Sequence, residues 1–372
     1  MSELRVLHVI DSFDLGGGQT ALWNLLEHLD REKFACEVAA MHGRGVFHRK
    51  FLELGIPVHS LAASKWSPAH MLRLCGMARQ FDITHFHLFG SNWLGKPAAA
   101  LGGCRIRFNH DQCNDAFRSE SRLRTGIDRL TNHLSTHVCA VSRSTRDFLI
   151  HNEHLPAEKV THLPNPVDSD YFRPPSDDER SAARRHWNAS SAETQITAVG
   201  RLHPQKDFLT AIAAVADLPK DATWRLVIAG TGPEEPQLRH ACRERGITDR
   251  VHFAGHVEDM RSLLWASDIL LMPSLYEGLP VALLEAMACG IPAVASAVDG
   301  IEEIVTHDRT GLLAPPQQAP QFTTQLERLL ANADLRPTLA RQARQLMTET
   351  FDARVISRRL EALYLTEIQR QI

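Results

Sequence analysis

A chain of 372 residues exceeds an ordinary domain of about 100–200 residues and implies two domains. Its apolar fraction of 44% suffices for real cores, while a formal net charge of -3 gives no electrostatic reason to expect nucleic acid as a partner. The seven cysteines are odd in number, scattered and never in C-x-x-C spacing, which argues against a disulfide framework or zinc knuckle and fits reduced thiols in a cytosol.

The N-terminus, MSELRVLHVIDSF, enters a strand without a charged-then-apolar leader, and no apolar run approaches the eighteen or so residues that span a bilayer. The expectation is a cytoplasmic protein, at most seated on the inner face of a membrane. Strand-like runs then alternate with helical patterns: RVLHVI, a helix over 19–29, FACEVAAM, a helix over 47–54, ITHFHLF, IRFNH, HVCAVS and KVTHLPN. That alternation predicts a parallel α/β sheet in a first domain over 1–168. The stretch 169–190 is rich in Pro and Asp, loses periodicity and predicts a linker. TQITAVGRL, WRLVIAG, RVHFAG, ILLMPS and IPAVAS predict a second α/β domain over 191–350. Leu326, Leu329, Leu330, Leu360 and Leu363, at three- and four-residue spacings, predict a helical C-terminal region. The last helix, over 351–372, is expected to pack back towards the first domain.

Ligands of open parallel sheets lie beyond the carboxyl ends of strands. In DSFDLGGGQTALWNLL, Gly16, Gly17 and Gly18 stand between a strand and a helix, where backbone can approach a ligand and a helix N-terminus can face an anion. Gly16-x-Gly18-x-x-Ala21 with Glu37 formally matches a dinucleotide fingerprint. However, Asp11 to Leu15 separate the strand from the glycines, and Glu37 falls inside its strand pattern. Plain turn glycines or a loop facing a ligand are the better readings. His85 and His87 lie two apart in a strand and share a face, but no local third ligand supports a metal. His110 ends the next strand in the same kind of position as His87, so both can reach one cleft, and each reads equally as site or structure.

In VGRLHPQKDFLTAI, Gly200 permits close approach, and Arg201 and Lys206 on the loop after a strand suit a diphosphate. In PSLYEGLPVALLEAMACG, Pro280 and Gly290 bound a helix over 279–289 whose N-terminus attracts phosphate. Glu277, just outside that helix, would repel a phosphate and is expected to meet hydroxyls. Glu285 sits among apolar residues and needs donors, either a vicinal diol such as that of ribose or a buried Arg or Lys.

VGRLHPQKD, LVIAGTGPEEPQLR, VHFAGHVEDM, MPSLYEGLPVALLEAMACGIPAVAS and GIEEIVTHDRTGLL, in that order, resemble the C-terminal half of the family-four, or group 1, retaining glycosyltransferases. The first half keeps the glycine loop, HFH, NHD, AVSRSTRDFL and PNPVDSDYF, so the resemblance covers nearly the whole chain. It implies the GT-B fold, two Rossmann-like α/β domains facing each other across a deep cleft, the first binding the acceptor and the second the nucleotide-sugar donor. It further implies a nucleotide-sugar donor, with uridine as the default base, and a saccharide or lipid-linked acceptor in polysaccharide or cell-envelope glycan synthesis. Retention is implied without a metal or other cofactor.

By the same resemblance, Arg201 and Lys206 hold the donor diphosphate with the helix N-terminus beginning at Gly278 and Leu279. Glu285 takes the ribose hydroxyls, Glu277 the donor sugar, and His110 a sugar hydroxyl near the anomeric carbon. His110, Arg201, Lys206 and Glu277 are the implied catalytic group. Gly17 and Gly18 line the cleft near the phosphates, and His87 and Asp111 are implied acceptor or cleft residues. The family's proposed mechanism has the donor phosphate take the acceptor's proton, and no side chain here is an obvious base.

The family's PNGVD reads PNPVD here, so Pro166 predicts a stiffer connection. Arg118, Arg122 and Arg129, with Arg124 nearby, give FRSESRLRTGIDRL a basic face beside Phe117 and Leu123. That face suits anionic lipid, or equally a solvated pairing with Glu120 and Asp128. Two rival readings are an epimerase of the same architecture and a non-catalytic sugar-nucleotide-binding subunit.

Overall fold

The computed structural model describes residues 3–61, 69–112, 122–332 and 334–371. It divides into two compact units, Met1–Pro166 with Ala353–Ile372, and Val167–Asp352.

In the first unit, β1 (Leu4–Ser12), β2 (Phe34–His42), β3 (Val58–Ser60), β4 (Ile83–His87), β5 (Ile106–Asp111), β6 (His137–Ala140) and β7 (Val160–His162) form one sheet in the order β3-β2-β1-β4-β5-β6-β7. Every pairing is parallel. In the second, β8 (Thr194–Val199), β9 (Trp224–Ala229), β10 (Val251–Gly255), β11 (Ile269–Met272), β12 (Ala293–Ser296) and β13 (Leu312–Ala314) form a parallel sheet in the order β10-β9-β8-β11-β12-β13. Each sheet reverses its strand order beside its first strand, between β1 and β4 and between β8 and β11. Such a switch point opens a crevice at the carboxyl strand ends. β3 and β13, three residues each, are too short to carry a period and escape the sequence reading.

Central strands such as β4, β6, β11 and β12 are buried along their whole length, as expected for parallel strands covered by helices on both faces. In the first unit, the helix Ala353–Gln371 packs Ile356, Leu360 and Tyr364 against Val6, Leu25, Phe34 and Phe108. The second unit's main core joins Ile196, Phe208, Leu226 and Leu271 to Phe322, Leu326 and Leu329.

The stretch expected as a linker over 169–190 belongs to the second unit and contains the helix Asp177–His186. Ser176 and Glu179 form a reciprocal capping box, with acidic residues in the first turn and basic ones in the last. Arg180 and Arg184 both hold Asp268, at 2.6 and 2.9 Å. A helix fixed by caps and ion pairs carries no apolar period, which is why the composition reads as linker. Among the described residues no helix is long and apolar enough to cross a membrane.

Candidate active site

The second unit's switch point is built from the loop after β8 and the loop after β11. Gly200, at φ 156°, is pressed between two neighbours. A Cβ there would lie 3.1 Å from the Lys206 stem, and one at Gly230 would lie 1.8 Å from the Gly200 carbonyl oxygen. Glycine is thus demanded by close backbone approach. Gln205 ties the two loops together. Its carbonyl accepts from the Leu275 amide at 2.8 Å, and its Nε2 donates to the Tyr276 carbonyl at 3.0 Å.

Beside these bonds Lys206 Nζ donates to Glu277 Oε1 at 2.5 Å, with side chains only 16% and 7% exposed. Glu277, expected to meet hydroxyls, also has an ammonium partner. A buried carboxylate next to an anion-binding helix end needs a nearby cation, and Lys206 supplies it. Arg201 is exposed, and among the described residues no carboxylate pairs with it.

Gly278 lies against Gly300, where a Cβ would come within 1.8 Å of the Gly278 oxygen. Leu279 is buried, and the helix begins slightly later than expected, at Val281–Ala288 with Pro280 as its N-cap. The Pro280 carbonyl accepts from the Leu283 and Leu284 amides at 3.1 and 3.3 Å, and no side chain caps this end. The first amides of the helix remain available to an anion. Glu285 is 7% exposed. Its charge, after burial, helps hold the Cys289 thiol well above its usual range, and it adds to the raised pKa of Tyr171.

The first unit treats its switch point differently. Gly17 opens the helix Gly17–His28 and is exposed. Gly18 was expected to line a ligand, but a Cβ there would lie 2.5 Å from Leu88 Cδ2, so its bareness makes room for a neighbour. Leu88 has φ 71°, a conformation that costs a non-glycine residue roughly 1–3 kcal/mol. Glu37, the acid of the dinucleotide reading, sits within β2 and holds Arg5 at 3.3 Å and His59 at 2.6 Å.

His87 and His110, expected to reach a cleft, are sealed, at 1% and 0% exposed. They join His8 and His85 in a buried cluster. His8 Nδ1 faces His87 Nε2 at 3.1 Å, His85 Nδ1 bonds the Tyr364 hydroxyl at 2.5 Å, and the His110 Nε2–H donates to the Leu163 carbonyl at 3.0 Å. Burial first, then neighbouring imidazoles, pushes His8 down to about 3 and His85 and His87 well below the usual range. Burial likewise takes His110 down to about 4, against the opposing pull of the Leu163 carbonyl and Asp111. All four rings are therefore neutral at pH 7.

His8 is the third partner that local reading of His85 and His87 lacked. It lies opposite His85 in the β1–β4 register, a signal that appears only once strand order is known. The ligand atoms of His8, His85 and His87 lie within 4.8 Å of one another. Their geometry permits a cation, but the trio supplies no anionic ligand, and the His8 and His87 nitrogens already face each other. Asp111 is buried at the end of β5.

Arg118, Phe117 and Glu120 of the basic stretch lie outside the described residues, as do the side chains of Arg122, Leu123 and Arg124. Arg129 is exposed on the helix Arg122–Asn132, whereas Asp128 is buried, at 4% exposed. Among the described residues the six cysteines are free thiols.

Residues 179–346 match the family described as Glycosyl transferases group 1, and residues 15–171 match Glycosyltransferase Family 4. The putative glycosyltransferase EpsF of Bacillus subtilis is 30% identical over 319 residues, 82% of this chain and 81% of the relative. The chain belongs to the family 4, group 1 glycosyltransferases. The glycosyltransferase is also 28% identical over 267 residues to a UDP-Gal:α-D-GlcNAc-diphosphoundecaprenol α-1,3-galactosyltransferase of Escherichia coli, covering 67% of this chain and 66% of that one. In fold it is similar to Anabaena HepE in complex with UDP-glucose, with a TM-score of 0.89, 20% identity, and coverage of 98% and 100%. It is also similar to the sucrose-phosphate synthase of Thermosynechococcus elongatus, with a TM-score of 0.84 at 19% identity over 99% of this chain and all of that one. The glycosyltransferase thus has the GT-B fold, with a parallel α/β sheet in each unit.

Proposed function

We propose that this glycosyltransferase moves a sugar, with retention of anomeric configuration and without a metal, from a UDP-sugar to a saccharide or lipid-linked acceptor in polysaccharide or cell-envelope glycan synthesis. The observation that carries the reading is the buried Lys206–Glu277 pair, which joins the loop after β8, bearing the exposed Arg201, to the segment leading into Val281–Ala288, whose start no side chain caps. Negative charge grows on the leaving diphosphate, and fixed cations and helix amides stabilise that growth more than the ground state. A diphosphate arriving here competes with Glu277 for Lys206, which turns one carboxylate oxygen towards the sugar hydroxyls. Glu285, buried on the same helix, is the partner for the ribose diol. UDP is favoured because HepE was crystallised with UDP-glucose and the E. coli relative is named for UDP-Gal. The latter's diphosphoundecaprenol substrate supports a lipid-linked acceptor.

His110, which the resemblance implies for a sugar hydroxyl, is sealed at 0% exposed with its Nε2–H given to the Leu163 carbonyl, so it enters this reading only through the shape of the β5 strand end and not as a sugar contact. Contact with an anionic membrane belongs to the same reading and rests on the basic stretch ending at Arg129.

The test is thermal shift with UDP, GDP and ADP, EDTA present throughout, on the wild type and on Glu285→Gln. UDP is expected to stabilise the wild type, and Glu285→Gln to weaken UDP binding roughly tenfold, the loss of about 1.4 kcal/mol typical of a charge-assisted hydrogen bond. A shift with another diphosphate instead corrects the base. No shift with any of them removes the donor site, and turnover of UDP-sugar without an acceptor would favour an epimerase.

A further inference from the structure

The two sheets place topologically matching helices after the fourth strand of each unit, Phe89–Leu101 after β4 and Val281–Ala288 after β11. The second keeps its first amides clear of side-chain caps, whereas the first does not. Asp11, the penultimate residue of β1, reaches across the switch point and accepts from the Gly90 amide through Oδ2 at 3.1 Å and from the Ser91 amide through Oδ1. A carboxylate with two backbone amides at a helix start occupies the position a bound phosphate would take.

The surrounding residues are fitted to this arrangement. Gly90 has no Cβ, and one placed there would lie 3.0 Å from the Asp11 carboxylate. Ser91 Oγ donates to the His87 carbonyl, closing the turn from the other side. Between them Leu88 holds its unfavourable φ of 71°, and its side chain fills the space left open by Gly18. Strand end and helix start thus meet at one carboxylate, and the strained Leu88 that precedes the helix meets the glycine loop.

We infer that Asp11 is a positioning residue: as a built-in anion it fills the helix end of the first unit, closes it to phosphate and holds the His87–Leu88 elbow against the glycine loop in the shape that receives the acceptor. The effect on the acceptor rests on the proposed function, with the acceptor bound by the first unit as the family resemblance implies. The anchoring itself does not.

The experiment uses the full-length protein as wild type, Asp11→Asn and Asp11→Gly. Hydrogen exchange is followed on the peptide over residues 86–92 in chloride and, at equal ionic strength, in formate or inorganic phosphate. Asp11→Gly is expected to speed exchange there at least tenfold, and formate or phosphate to slow it again. Asp11→Asn, whose side-chain carbonyl still caps one amide, should remain within a few-fold of wild type. In turnover with any acceptor that supports the wild type, Asp11→Gly should raise the acceptor KM far more than it lowers kcat, with UDP affinity unchanged within twofold. Unaltered exchange in Asp11→Gly, or exchange indifferent to both anions, would overturn the anchoring role. Restored exchange with an unchanged acceptor KM would overturn the link to the acceptor. A wild type that binds no UDP would count against the proposed function and leave the exchange result standing.

Discussion

The two units share a strand order and put chemistry at the same topological point, but they neutralise it in opposite ways. The first fills its switch point with groups that carry no charge outward: neutral, sealed imidazoles and an aspartate spent on backbone amides. The second keeps charge at the same point, with an exposed guanidinium, an ammonium–carboxylate pair and an uncapped helix start. Topology supplies the location, and residues at the strand ends decide whether it is electrostatically closed or open. A reaction that releases a diphosphate needs the open kind on the leaving-group side.

Acid should separate the units most strongly. His8, His85, His87 and His110 have folded pKa values far below the unfolded value near 6.5, so the unfolded chain binds more protons below that pH. Stability is full above 6.5 and is lost as pH falls from there towards the folded values near 3 to 4. Each such histidine contributes up to about 1.4 kcal/mol per pH unit, so four together approach roughly 5 kcal/mol per unit, the order of a whole domain's stability. His70, His137 and His162, lowered chiefly by burial, add in the same direction. Among the described residues of the second unit no histidine is buried, and only the exposed His252 is lowered, by partial desolvation and then by Arg225 and Arg239. Hydrogen exchange across pH 7 to 5 should show the first sheet losing protection near pH 5 to 6 while the second keeps it. Simultaneous loss in both units would mean that the buried histidines do not set the acid stability of the first.

The next largest effect tests the charged side of the contrast. Lys206→Met leaves Glu277 buried without its ammonium and should destabilise the second unit by about 3 kcal/mol as well as abolish transfer. Adding Glu277→Gln removes the stranded charge and should recover most of the stability but none of the activity. Urea unfolding of both variants, read beside a transfer assay, separates the roles. If Lys206→Met is as stable as wild type, the pair is not an electrostatic unit.

Much of this second half was readable in the sequence, because strand-end loops with Gly200, Arg201 and Lys206, and a carboxylate inside an apolar helix, violate local patterning in ways only a ligand or partner explains. What could not be read was which of these groups hold each other. The Lys206–Glu277 pair spans residues from two loops that only the β8–β11 adjacency brings together. The first half was less legible for the same reason. His8 reads as one polar residue in an apolar strand until β1 is set beside β4, and Asp11 reads as the first of a polar run until Gly90 and Ser91 arrive from a helix nearly eighty residues later. The helix Asp177–His186 was hidden by the opposite fault, since capping and ion pairs leave no hydrophobic period to detect.

At Gly18 the contrast comes down to one methyl group, because the family's glycine loop invites a ligand-facing role while the structure packs this glycine against Leu88. In Gly18→Ala the new methyl would meet Leu88 Cδ2 at 2.5 Å. The Leu88 backbone is held, at a positive φ and followed by a helix start anchored to Asp11, so only its side-chain end can turn aside. Overpacking of this size costs about 1–2 kcal/mol, less than a clash with rigid backbone because a leucine end can rotate. Gly17→Ala, at an exposed helix-start position, should cost a few tenths of a kcal/mol at most. Thermal melts of the two variants in the absence of substrate decide between the roles: a lower Tm for Gly18→Ala alone assigns that glycine to the elbow, whereas equal melts with a loss of UDP binding would return it to the ligand.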